Sequence, residues 1–189
     1  MAASSGIPGL LGRAIGAVER FVYAPVRADR NVARVELIDL DDLKAQGIRA
    51  ILFDRDNTVV PRDSKVAPPE VQAWLDRARE MGFLVYMVSN NWHTSEVQRT
   101  AAELGCKGID HALKPLPFTT MHALKKLGVS PDRAVLIGDQ LFTDILGGNL
   151  AGCRTILVHQ QCDVDIFGMA PVRAMERFIN RGIVFEGDE

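Results

Sequence analysis

The chain has 189 residues, 47% hydrophobic and 24% charged, with a formal net charge of -2; this is the balance of one soluble globular domain with a substantial core. It argues against a disordered chain, against nucleic acid as a bulk ligand, which calls for a basic excess or patch, and against a membrane span, which needs roughly 18 consecutive apolar residues. Cys106, Cys153 and Cys162 are odd in number and lack CxxC or Cys/His spacing, so neither a disulfide framework nor a structural zinc is indicated and a cytoplasmic location is expected.

The N-terminus shows no basic start followed by an uninterrupted apolar core, and no secretory signal is read there. Residues 1–30 form a segment distinct from the domain expected over 31–189. Within it, Leu11, Ile15, Val18 and Val22 recur at helical spacing while Arg13, Glu19 and Arg20 fall largely elsewhere, which predicts an amphipathic helix over about 8–22. Gly12 and Gly16 weaken it. Its apolar face needs a partner, either the domain itself, a second subunit, or the inner face of a membrane on which the chain would lie peripherally.

From about residue 50 onward short apolar runs alternate with helical patterns, the signature of βαβ units and a parallel sheet. The run Ala50 to Phe53 reaches Asp54 and a loop rich in Pro, Asp and Ser. Pro68 and Pro69 suit the first turn of a helix carrying Val71, Trp74, Leu75, Ala78 and Met81, ended by Gly82. Phe83 to Val88 is the second strand. Thr94 or Ser95 can cap a helix with Val97, Ala101 and Leu104, and a weaker strand near Gly108 to Leu113 leads to Lys114. A helix with Phe118, Met121, Leu124 and Leu127 precedes the strand Ala134 to Ile137 and Gly138-Asp139. A short helix around Thr143 to Ala151 and a fifth strand, Thr155 to Val158, follow. The tail from Ala170 to Asn180 is expected as a helix with Val172, Met175, Phe178 and Ile179 facing inward. The fold class is therefore α/β: a three-layer α/β/α, Rossmann-like arrangement on a mainly parallel five-stranded sheet.

This map places Asp54, Ser89, Lys114 and Asp139 each just after a separate strand. In a parallel sheet those ends share one edge, where open α/β sheets bind ligands. Any one of the four could be an ordinary turn or cap residue. Together they supply a distinct chemistry. Asp54 and Asp56 bring two like charges close together, which is costly unless a cation compensates, and Mg²⁺ favours oxygen ligands of this kind together with substrate phosphate. Lys114 adds the positive charge that a phosphoryl group needs, Ser89 a hydroxyl donor, and Asp139 a further acidic strand end.

These motifs, Asp54-Arg55-Asp56-Asn57-Thr58, Val88-Ser89-Asn90-Asn91, Lys114-Pro115 and Gly138 to Asp144, resemble in order and strand context those of the haloacid dehalogenase (HAD) superfamily of phosphatases. Ser89 to Asn91 and Gly138 to Asn149 are more narrowly similar to the YqeG-like capless family and to phosphatidylglycerophosphate phosphatases. The likeness spans roughly residues 30 to 160. It implies a Mg²⁺-dependent phosphatase in which Asp54 is nucleophile and metal ligand, and Asp56 is general acid/base with its backbone carbonyl on the metal. It implies further that Ser89, Asn90 and Lys114 bind the phosphoryl group, Asp139 binds the metal, and Thr58 and Asp144 support the site from behind. Arg55 departs from the pattern, which usually has an apolar residue there. Alternation along an extended segment predicts that it points away from the carboxylate pair, as an ordinary surface arginine, with the alternatives that it meets a carboxylate elsewhere or lends positive charge near an anionic substrate. His93, His111, His122 and His159 form no metal spacing, with His93 the one candidate for substrate contact and Trp92 placed to line the entrance.

The gaps from Phe53 to Phe83 and from Lys114 to Ala134 each hold one helix and no cap domain. An open site suits a large or surface-bound phosphate ester, and with the N-terminal amphipathic pattern it favours an anionic phospholipid headgroup, phosphatidylglycerophosphate. The alternatives are a soluble phosphatase for a nucleotide, sugar or protein phosphate, and a non-catalytic module that keeps the fold. Loss of Asp54 or Asp56 would mark the last, and both are present.

Overall fold

A computed structural model describes residues 26–162 and 170–188. The expected N-terminal helix over 8–22 lies outside the described residues. The central sheet has six strands, all parallel: β1 (Arg30–Val32), β2 (Ala50–Phe53), β3 (Leu84–Val88), β4 (Lys107–Ile109), β5 (Ala134–Gly138) and β6 (Arg154–Val158), in the order β1-β6-β5-β2-β3-β4. The sixth strand, β1, was not expected. It is three residues long and largely polar, too short to carry a period-two signal, and it is held by pairing Arg30 to Val32 against Ile156 to Val158.

Helices cover both faces: α1 (Leu40–Ala45), α2 (Pro69–Glu80), α3 (Thr94–Glu103), α4 (Phe118–Leu127), α5 (Leu146–Ala151) and α6 (Ala170–Ile179). Because successive side chains of a strand point to opposite faces, the sheet feeds two cores. Ile51, Phe53, Val85, Met87, Val135 and Ile137 meet Val71, Trp74 and Leu75 of α2 and Val97 and Ala101 of α3. Ala50, Leu52, Tyr86, Val88 and Leu136 meet Ala123 and Leu124 of α4 and Ala151 of α5. All four residues of β2 are buried on both faces, as expected of a central parallel strand.

This topology fixes where a ligand can bind. From β2 the chain runs outward to β3 and β4, then returns to the other side of β2 as β5 and continues to β6. The order therefore reverses between β2 and β5, whose carboxyl ends open a crevice. Residues 54–68, between β2 and α2, contain only short turns, and α4 is the one α-helix between β4 and β5, so neither connection carries a further domain over that edge.

The last helix corrects the sequence reading. In α6 the buried positions are Arg173 and Glu176, whereas Met175 and Phe178 are exposed and Val172 and Ile179 only partly covered. Apolar periodicity presumes that the inward face meets apolar neighbours. Here it meets the Asp139 carboxylate and the backbone after β5, while Ile179, of the four residues expected inward, packs against the cluster of Leu141, Ile145 and Leu157.

Candidate active site

Strand β2 delivers Asp54 into the crevice, with its backbone N–H donating to the Ile137 carbonyl of β5 at 2.9 Å. Lys114 arrives from the loop after β4 and donates from Nζ to Asp54 Oδ1 at 2.6 Å and to Asp144 Oδ1 at 2.7 Å; all three side chains are buried. Asn90 holds Lys114 in place. Its Oδ1 accepts from the Lys114 N–H at 2.8 Å and its Nδ2 donates to the Lys114 carbonyl at 3.1 Å. The expected ligand-binding amide is thus largely engaged with the backbone, which leaves only its second Nδ2 hydrogen for a ligand.

Strand β5 ends at Gly138, and a π-helical turn over Leu141–Ile145 follows directly. That turn folds Asp144 back under the strand end, where its Oδ2 accepts from the Gln140 N–H at 3.1 Å. The glycine is required there, since a Cβ at position 138 would collide with the Asp144 side chain. Asp139, next in the chain, places Oδ1 where it accepts from the Thr58 hydroxyl at 3.2 Å. Ser89 is fully buried at the end of β3, and its Oγ accepts from the Asn91 N–H at 3.1 Å.

The carboxylates of Asp54, Asp139 and Asp144 each offer an oxygen within 4.8 Å of the others, and all three are buried. An all-oxygen donor set of this kind fits a hard divalent cation. Asp144, expected to support Lys114 or the metal's waters from behind, bonds Lys114 and also stands within this set. The Asp56 side chain stands apart: Oδ1 takes the Arg55 guanidinium and Oδ2 accepts from Asn91 Nδ2 at 3.1 Å.

Burial governs the electrostatics. It pushes the Asp54 carboxyl up to about 6 against the opposing pull of Lys114, and likewise pushes Asp139 up to about 6 against the pull of Arg173. Asp144 is raised for the same reason. For Lys114 burial disfavours the charge, but Asp144 and Asp54 more than reverse this, so the ammonium stays firmly protonated. A cation arriving among these carboxylates would stabilise their ionised forms.

Two arginines depart from the sequence reading. Arg55 is not a surface residue. It is 2% exposed, pairs with Asp56, and donates from Nε to the Thr100 hydroxyl on α3 at 3.0 Å, with Glu96 3.9 Å away. Alternation fails because the strand ends at Phe53: the Arg55 carbonyl accepts from Val59 and Val60, and Asn57 has a φ of 64°. Arg173 was missed altogether. From α6 it donates to Asp139 Oδ2 at 2.6 Å, and the only local hint in the sequence is its i,i+3 spacing from Glu176.

Comparison with known proteins identifies the family. The HAD-hydrolase-like family model matches residues 111–162. The probable phosphatase YqeG of Bacillus subtilis is 35% identical over 151 residues, covering 80% of this chain and 87% of that one. Phosphatidylglycerophosphate phosphatase 1 of Arabidopsis thaliana is 27% identical over 67% of this chain, which spans only 39% of that protein. Among solved structures, the D,D-heptose 1,7-bisphosphate phosphatase of B. bronchiseptica, complexed with magnesium and phosphate, superposes with a TM-score of 0.52 at 18% identity, over 68% of this chain and 87% of that one. That likeness concerns the fold.

Proposed function

The chain belongs to the YqeG-like phosphatases of the HAD superfamily, and from that premise we propose that it hydrolyses phosphatidylglycerophosphate to phosphatidylglycerol and inorganic phosphate through Asp54. The Asp54 carboxylate attacks phosphorus, and the leaving alcohol takes a proton from Asp56. Asp56 then removes a proton from water as it displaces phosphate from the aspartyl-phosphate, restoring Asp54. Lys114, Ser89 and the remaining Asn90 N–H neutralise and orient the phosphoryl oxygens. Arg55 and Asn91 hold the Asp56 carboxyl at its two oxygens, which fixes the direction in which it exchanges the proton. Asp54, Asp139 and the Asp56 carbonyl would hold Mg²⁺, with Asp144 at hand; when bound, the ion supplies positive charge for the transferring group.

The observation that carries the lipid reading is the rim of the site. A cleft of about 320 Å³ beside Lys114 is lined by Asn90, Trp92, His111, Leu113, Pro115 and Leu116. Trp92, Leu113 and Leu116 are 69%, 55% and 50% exposed there, and Phe118, two residues on at the start of α4, is 71% exposed. Large apolar side chains presented to solvent are a feature of surfaces that meet membranes or proteins. Placed at the mouth of a phosphate site, they match an amphiphile with an anionic head. No helix among the described residues is long and apolar enough to cross a membrane, so this reading has the chain reach lipid from outside the bilayer.

The test is phosphate release from vesicles containing phosphatidylglycerophosphate, compared with a panel of nucleotide, sugar and protein phosphates, each with Mg²⁺ and with chelator. Selective, chelator-sensitive hydrolysis of the lipid is expected. Preference for a soluble ester would replace the lipid assignment with the soluble alternative, and full activity in chelator would remove the metal from the account.

A further inference from the structure

Helix α6 directs its charged face into the molecule. Arg173 and Glu176 are buried, and burying such a pair is costly unless its hydrogen bonds are well satisfied. Among the described residues, they touch one another and one short stretch of chain. Arg173 Nη2 donates to Asp139 Oδ2 at 2.6 Å, and Nη1 donates both to the Asp139 carbonyl at 3.2 Å and to Glu176 Oε2 at 3.1 Å. Glu176 Oε1 in turn accepts from the Phe142 N–H at 3.3 Å. The helix therefore grips the loop after β5 at both its first residue and its fourth.

We propose that Arg173 is a positioning residue for Asp139, fixing that carboxylate for a divalent cation; this rests on the reading above that Asp139 is a metal ligand. The geometry has the necessary parts. A carboxylate has about four lone-pair directions; Arg173 takes one on Oδ2 and the Thr58 hydroxyl takes one on Oδ1. Held at both oxygens from two different elements, the group cannot turn, and the remaining lone pairs face a fixed direction. Asp139 Oδ2, the Asp139 carbonyl and Glu176 are reached together by one planar guanidinium. A lysine ammonium on a single flexible stem keeps the charge but not this fork.

The test is Mn²⁺ binding to the full chain, read from the loss of the free-ion EPR signal and from the bound-ion line shape, for wild type, Arg173→Met, Arg173→Lys and Met175→Ala. Met175 lies on the exposed face of the same helix and controls for substitution on this helix as such, while thermal melts report helix docking and the fold. Removing an outer partner of a metal ligand typically weakens metal binding about 10- to 100-fold. Arg173→Met is expected to raise the Mn²⁺ dissociation constant by that amount and change the line shape, Arg173→Lys to recover part of the loss, and Met175→Ala to match wild type. Unchanged binding in both Arg173 variants overturns the proposal. Tighter binding overturns it as well, because the guanidinium would then be competing with the cation. Equal weakening in Met175→Ala overturns it in favour of simple helix packing. A wild-type chain that binds no Mn²⁺ overturns the metal reading itself, and this inference with it.

Discussion

Replacing Lys114 by Met removes the one ammonium that bridges Asp54 and Asp144, at 2.6 and 2.7 Å and with all three side chains buried. At an effective dielectric near 20 and these separations, each contact amounts to about 6 kcal/mol of Coulomb energy, offset by the cost of desolvating the lysine. Breaking a buried pair from one side typically leaves a net loss of about 3–5 kcal/mol. The loss should depend on pH in a definite sense. Without Lys114 the two carboxylates, already raised by burial, rise further and take up protons more readily in the folded state than in the unfolded one. A folded pKa above the unfolded value gives stability at low pH that is lost as pH climbs through the folded pKa. The deficit of the variant should therefore be small near pH 5 and approach its full size by pH 8. Urea unfolding of metal-free wild type and Lys114→Met at both values measures it. Equal stability at pH 8, or a deficit larger at pH 5 than at pH 8, would refute the view that Lys114 is the counter-ion on which these carboxylates depend.

Arg55→Leu should lower kcat by about 10- to 100-fold with little change in KM, because it frees the Asp56 carboxyl without touching the phosphate site; a KM effect alone in steady-state kinetics would place Arg55 in binding instead. For Asp139, raised to about 6 by burial from an unfolded value near 4, the contribution to stability is full well below about pH 4 and is lost as pH climbs through about 6 to about 7. Metal-free wild type should thus lose on the order of 3 kcal/mol relative to Asp139→Asn over that window, and parallel stability curves for the two proteins would contradict the assignment.

The strand ends were the legible part of this molecule. Asp54, Ser89 and Asp139 could be placed on one edge because each follows an apolar run that burial makes conspicuous, while Lys114 was placed there by a weaker pattern after Gly108 on a partly buried edge strand. Two kinds of feature were not legible. One is short-range geometry: β4 was expected over Gly108 to Leu113, but it stops at Ile109, and His111 and Leu113 take positive φ values of 48° and 54° that bend the chain toward Lys114. Such a bend depends on tertiary contacts rather than local propensity. The other is charge turned inward. Periodicity assigns Arg55 and Arg173 to solvent because burying an arginine is unfavourable alone. Each has a charged neighbour close in sequence, Asp56 and Glu176, but the groups that complete their burial, Thr100 and Asp139, lie 45 and 34 residues away, and only the assembled fold brings those to them.

The central claim is that Asp54 carries the phosphoryl group between substrate and water. Its most direct measurement is mass spectrometry of the enzyme quenched in acid during turnover of phosphatidylglycerophosphate with Mg²⁺. One added phosphoryl group is expected on the peptide bearing Asp54, absent in Asp54→Asn, whose turnover should fall by at least about 10³-fold. A phosphoryl group on a different residue, or an Asp54→Asn variant that releases phosphate at the wild-type rate, would contradict it.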